Sequence, residues 1–212
     1  LADGVRAAAQ RIGPEAEAFA VHVKGMEAPY HDPRAFVSMA ANYATASRGA
    51  CHLESLSYWL GYGTRFDGWY NPDEYDPHDS AGKGQVVADF QDYQAVYNPL
   101  GLCKFIGKGK IEPRHLAELV NTALGWDWCA EDVLATGQRL FNLKRLINLR
   151  LGVTGADDTL PPRFLNEPRP SGGAEGVLPD LERQLADYYR IRGWTADGEP
   201  TPERLAALEL DG

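Results

Sequence analysis

Apolar residues recur at three- and four-residue steps through most of this chain, and alternation at a step of two is confined to one short stretch near the start. From Lys83 to Val96 the positions Val86, Val87, Phe90 and Tyr93, continued by Tyr97, fall on one face, which predicts an amphipathic helix. Pro99 and Gly101 follow, and they predict that the helix breaks there, with Asn98 pushed out of the α region. Val5 to Ile12 reads as a short helix stopped by Gly13-Pro14. Phe19, Val21 and Val23 then alternate with polar neighbours and predict a short strand. Asp32-Pro33 has the form of an N-cap and first turn, so a helix is expected from Arg34 to about Ala46, with a wide face of small residues.

Leu56 to Asp79 is rich in aromatics and glycine with no sustained period, and is expected to be a packed irregular loop. Lys108-Gly109-Lys110 predicts a turn, and Glu112-Pro113 starts a helix that Gly125 ends. The stretch from Ala130 to Leu151 is apolar on more than one face, so it is expected to be the central core helix. A Pro, Gly and Ser loop at 168–176 leads to a helix from Pro179 to Arg192, and Thr201-Pro202 caps a short last one. The fold class expected is therefore mainly α, an irregular helical bundle with a short strand near the N-terminus. Residues 1–30 read as the tail of a preceding domain, and 31–212 as an all-helical domain. Because Leu1 leads straight into helical sequence, the chain is expected to be part of a longer polypeptide.

Composition narrows the functional classes. The 212 residues are 44% hydrophobic and 24% charged, with a formal net charge of −9. That balance argues against nucleic acid as a partner, which needs clustered cations. No run approaches the length of a membrane span, and the expected location is cytoplasmic. Three cysteines, Cys51, Cys103 and Cys129, are too scattered for a disulfide framework and contain no C-x-x-C pair. A metal or iron–sulfur site built from the cysteines of this chain alone is excluded.

Two stretches carry candidate chemistry. In Asn98-Pro99-Leu100-Gly101-Leu102-Cys103-Lys104 a bend presents a thiol beside a lysine, a setting that favours thiolate and lets backbone N–H groups face a ligand. The same residues also suit a helix end with a structural cysteine. In Thr45-Ala46-Ser47-Arg48-Gly49-Ala50-Cys51-His52-Leu53-Glu54, Arg48 offers a planar fork for phosphate, Gly49 lets the chain turn, and His52 can carry a proton. Lys104 and Lys108 to Lys110 suit an acidic partner or a solvated surface.

Taken together, these stretches resemble the tungsten-containing aldehyde:ferredoxin oxidoreductase family. Asn98 to Cys103 is similar to that family's D-x-x-G-L-C segment, with Asn98 in place of the aspartate. Tyr43 to Leu53 is similar to its Y-A-T-x-x-R-G-A-C-H-L segment, with Glu54 where a basic residue is usual two positions after the histidine. His22 to Pro29, His31 to Arg34 and the region after Phe141 also resemble the family. The resemblance implies the fold of the family's C-terminal domain, a tungsten bis-pterin (tungstopterin) and a 4Fe-4S cluster. It implies oxidation of an aldehyde to a carboxylic acid, with electrons passing to ferredoxin or another electron carrier. Cys103 is then a cluster ligand, Arg48, Asn98, Gly101, Leu102 and Lys104 lie along the cofactor, and His52 serves the reacting oxygen. The family's other three cluster cysteines come from an upstream part of the polypeptide, so neither cofactor is expected on this chain alone. Two alternatives stay open: a tungsten enzyme of aromatic or acyl-thioester reduction, and a non-catalytic helical interaction domain.

Overall fold

The computed structural model describes residues 2–66 and 68–211, and Leu1 lies outside the described residues. Ten α-helices carry the described chain: α1 (Gly4–Ile12), α2 (Pro14–Glu17), α3 (Ser38–Thr45), α4 (Tyr58–Gly61), α5 (Lys83–Tyr97), α6 (Pro113–Leu124), α7 (Ala130–Arg150), α8 (Pro162–Asn166), α9 (Leu181–Arg192) and α10 (Pro202–Ala207). The described strands are β1 (His22–Val23) and β2 (Met26–Glu27), an antiparallel pair with His22 opposite Glu27. The mainly α fold expected from the pattern is what the structure shows.

The centre of the bundle is α5. All its residues except Gln85 and Asp89 are buried, and α3, α7 and α9 pack around it. The expectation that α7 would be central is corrected. That helix buries Val133, Gly137, Phe141 and Arg145, a stripe at four-residue spacing, together with Asn142, while Leu143 and Ile147 lie about half exposed. Close packing on the stripe is enforced at Gly137, where a Cβ would fall 2.0 Å from the Asp92 carbonyl oxygen. The interior of α5 is unusually polar. Gln91 donates to Asn42 and Thr45 on α3 and accepts from Tyr188 on α9, and Arg192 pairs with Asp92. Burial of such groups is tolerated because they satisfy one another.

Three local expectations are also corrected. Hydrogen bonds from the Phe19 and Ala20 amides back to Ala16 and Glu17 keep the chain turning, so the strand shortens to two residues. Phe19 is exposed, with the Arg163 guanidinium over its ring. The helix expected from Arg34 begins at Ser38 instead. The Asp32 carboxylate accepts from the Arg34 amide and side chain, making 32–36 a separate turn, and the Val37 amide goes to the Pro77 carbonyl. Asn98 stays helical, with φ −65° and ψ −51°. Pro99 costs only the bond its own nitrogen would have made, and the Leu100 amide still reaches Val96.

Candidate functional site

From Ala46 to Cys51 the chain leaves α3 without regular structure before the 3-10 turn His52–Glu54, so its backbone groups need partners from elsewhere. Side chains from four elements supply them. Lys24, in the β-hairpin turn, donates through Nζ to the carbonyls of Ala44 (2.5 Å) and Ala46 (3.3 Å). Asn148 on α7 holds Ser47 (2.6 Å), and Asn42 on α3 holds Cys51 (3.1 Å). Lys104, in the 3-10 turn Lys104–Gly109, holds Leu53 (2.7 Å).

Lys24 is itself fixed by the buried Asp158 carboxylate, which also accepts from Arg145 and Tyr189. At Gly49 the backbone has φ +99°, and a Cβ there would lie 2.1 Å from the Val23 carbonyl oxygen. Only glycine fits that approach.

His52 opens the 3-10 turn His52–Glu54 and is half-buried. Its imidazole lies 4.8 Å from the ring of His31 and 6.2 Å from that of Tyr58, centroid to centroid. Burial, then the neighbouring His31 and Arg48, hold its pKa below the ordinary histidine value. At pH 7 it is a neutral base. Arg48 donates to Cys51 Sγ (2.9 Å) and leaves about half of its side chain exposed. Glu54 is turned inward, toward Ser47, Arg48 and Lys144. The Glu54 carboxylate is therefore engaged by the loop itself and by α7.

The second stretch ends α5. Leu102 N–H bonds Tyr97 O and Gly101 N–H bonds Asn98 O, each at 3.0 Å, the two bonds of a Schellman cap, with Gly101 at φ +67°. No atom lies within 4 Å of where a Gly101 side chain would begin. Asn98, Gly101 and Cys103 are exposed and Leu102 is half-buried. Lys104 binds this stretch to the first through Leu53. Burial pushes its pKa down to about 8, helped by Lys144 and Arg48 against the pull of Glu54 and Cys51.

The sequence-predicted residues thus fall into two joined segments, and sequence reasoning missed His31 and Tyr58 beside His52. His31 lies in the stretch His31 to Arg34 that resembles the family and Tyr58 in the aromatic-rich stretch, but nothing in either placed them beside His52. A surface cleft of about 510 Å³ lies elsewhere, between α1, the hairpin and residues 156–162, and among its lining residues are His22 and Lys24. The chemistry of the two joined segments outweighs its size.

The family model described as aldehyde ferredoxin oxidoreductase, domains 2 & 3, matches residues 1–210. The chain belongs to this family. It is 40% identical over 99% of its length to the tungsten-containing aldehyde ferredoxin oxidoreductase of Pyrococcus furiosus, and 39% identical over 99% to that of Thermococcus kodakarensis. It spans 34% of each of these relatives. Among solved structures, the active site complex BamBC of benzoyl coenzyme A reductase, in complex with 1,5 dienoyl-CoA, superposes with a TM-score of 0.67 at 20% identity. That match covers 98% of this chain and 35% of the other, and it shows a shared fold.

For a family whose members contain tungsten, the residues present fit the edge of a cofactor rather than a whole cradle. The bend at Gly101 is open and Cys103 offers one exposed thiol. Among the described residues no group of three or more His, Cys, Asp or Glu side chains is placed to hold a metal ion. No helix among them is long and apolar enough to cross a membrane.

Proposed function

We propose that this chain is the C-terminal part of a tungsten-pterin oxidoreductase that oxidises aldehydes to carboxylic acids and passes electrons through a 4Fe-4S cluster to ferredoxin or another carrier. The observation that carries this reading is the Lys104–Leu53 hydrogen bond, which joins the thiol-bearing bend to the histidine loop in a chain 40% identical to tungsten-containing aldehyde ferredoxin oxidoreductases. When bound, the tungsten bis-pterin and the cluster supply the redox chemistry and its outlet.

This chain's own residues bind, orient and move protons. Cys103 gives one thiolate to the cluster. The exposed bend at Asn98, Gly101 and Leu102 lies along a pterin. Arg48 and Lys104 supply positive charge for its phosphate. His52, held neutral, takes the proton of the hydroxyl group added to the aldehyde carbon. An upstream part of the same polypeptide provides the remaining cluster ligands, in keeping with the 34% coverage of the relatives. Residues 1–30 are the tail of the domain before, with the fully exposed Tyr30 at the joint, and 31–212 are the helical domain. One cysteine cannot hold four irons, so the chain alone is expected to bind neither cofactor and to be inactive.

The test is metal and iron content of the full-length protein, with dye-linked aldehyde oxidation, for wild type, Cys103→Ala and His52→Ala. Loss of iron in the first variant, and loss of activity with metal retained in the second, support the assignments. Wild-type protein without tungsten, molybdenum or iron would leave a helical interaction domain. A metal-loaded protein that oxidises no aldehyde would point to the second reading, reduction of an aromatic ring or acyl thioester.

A further inference from the structure

His31 precedes Asp32 in the turn before α3, 21 residues from His52 in sequence, yet the two rings touch. The Tyr43 hydroxyl donates to the His31 carbonyl at 2.8 Å and holds the main chain there. The His31 ring stacks on Tyr58, with centroids 3.9 Å apart and planes at 19°, and meets His52 at 4.8 Å and 49°. With His52 and Tyr58 at 6.2 Å, the three rings form a closed triangle. Among the described residues neither imidazole hydrogen-bonds to another protein group, so the ring nitrogens are uncommitted.

The charges facing this triangle are cationic. Arg48, on the histidine loop, faces His52, and Lys108, on the following 3-10 turn, faces His31. The nearby carboxylates are engaged elsewhere, Asp32 with Arg34 and Arg169, and Glu54 with Ser47, Arg48 and Lys144. Tyr58 is a neutral phenol whose pKa burial raises further. Two imidazolium ions at this separation, with cations on both sides and no free anion among the described residues, repel one another, so a proton on one ring disfavours a proton on the other.

We propose that His31 is the positioning residue for His52: clamped on Tyr58, it limits the two rings to one proton and presents His52 to the reacting hydroxyl as a neutral base. The inference rests on the role given to His52 above, and it adds a residue that the motif does not contain. The coupling also suits an oxidation that releases a carboxylate, since an anion arriving at the pair lets it keep the proton it has taken.

The experiment is residue-resolved hydrogen–deuterium exchange at histidine C2, read by mass spectrometry across pH 4 to 9 on the full-length protein. It reports the midpoint of each histidine independently of turnover. Wild-type His52 is expected to titrate below the ordinary value of about 6.5. His31→Phe keeps a flat ring on Tyr58 and removes the second titrating group, and His31→Gln repeats the test with a smaller polar side chain.

In both variants the His52 midpoint should rise, and the acid limb of kcat/KM for an aldehyde should move up with it. The loss near pH 6 is then about threefold to tenfold, with little change at pH 8. A His52 midpoint that stays in place in both variants overturns the proposal. If the midpoint moves while His52→Ala oxidises aldehyde like wild type, the coupled pair stands and the catalytic role of His52 falls.

Discussion

The two segments that carry the candidate chemistry are built in opposite ways. The loop from Thr45 to Glu54 has its carbonyls taken by Asn42, Lys104, Asn148 and, together with Ala44, by Lys24, and Gly49 is pressed against Val23. The bend from Asn98 to Cys103 closes itself with two capping bonds and leaves Asn98, Gly101 and Cys103 exposed. The first is completed inside this chain. The second is a closed helix end with an exposed edge, which the proposed function gives to a cofactor. The difference teaches which residues should respond to folding and which to cofactor.

The sharpest break between them is chemical. His52→Ala should lower aldehyde oxidation by about 10²–10⁴-fold while metal and iron stay bound, because the loop's braces are main-chain and do not use the imidazole. Steady-state kinetics beside metal analysis checks this, and iron loss in His52→Ala would show that the imidazole itself helps to hold the cofactor. Next in size is a fold effect confined to the first segment. Asp158→Asn removes the charge that holds Lys24 and Arg145, both with side chains under a tenth exposed, and should destabilise by about 3–5 kcal/mol. Thermal unfolding of the full-length protein should show a large fall in Tm, and a change within a degree would mean that Lys24 positions nothing.

This contrast also explains what could be read from the chain before the structure. Caps and stops are local, so Gly125, Thr201 and the end of α5 near Tyr97 were legible, as were the two motif stretches. The standing of α5 was not, because its buried side include Lys83, Gln91, Asp92 and Gln94, polar residues that pattern reading assigns to solvent. Conversely, Leu143 and Ile147 made α7 look central while lying on its outer side. The braces escaped notice for another reason: Asn148 and Ser47 are 101 residues apart, and Lys24 and Asp158 are 134 apart. Nothing in either residue's neighbourhood announces its partner. At Asn98, the rule that a residue before proline leaves the α region lost to the Schellman bonds on either side of Pro99.

A smaller effect tests the link between the segments. The Lys104 ammonium is held to a pKa of about 8 in the folded protein, below its unfolded value near 10.5. Between about pH 8 and 10.5 the unfolded chain binds a proton that the folded chain does not, so this group makes stability rise with pH through that window. Below pH 8 both states carry the proton, and the cost of burying it is present in full. Lys104→Met removes this dependence. Measured side by side, wild type should gain Tm relative to the variant as pH goes from 8 to 10, and parallel curves would mean that Lys104 is solvated rather than docked on Leu53.

The smallest expected effect is the most discriminating for the open bend. Asn98→Asp restores the acidic residue usual in the resembling segment. Asn98 is exposed and sits in the last turn of α5, where a negative charge opposes the helix dipole, so the substitution should cost no more than about 0.3–1 kcal/mol. If the bend serves only to end a helix, that small loss of stability is the whole result, and tungsten content per protein stays at the wild-type level. If the bend lies along a pterin, the added carboxylate accepts hydrogen bonds more strongly than the amide, and tungsten retained through dialysis should rise although the fold has weakened slightly. Opposite movements of Tm and tungsten content would place the side chain of residue 98 on the cofactor, and movement of Tm alone would return it to the helix.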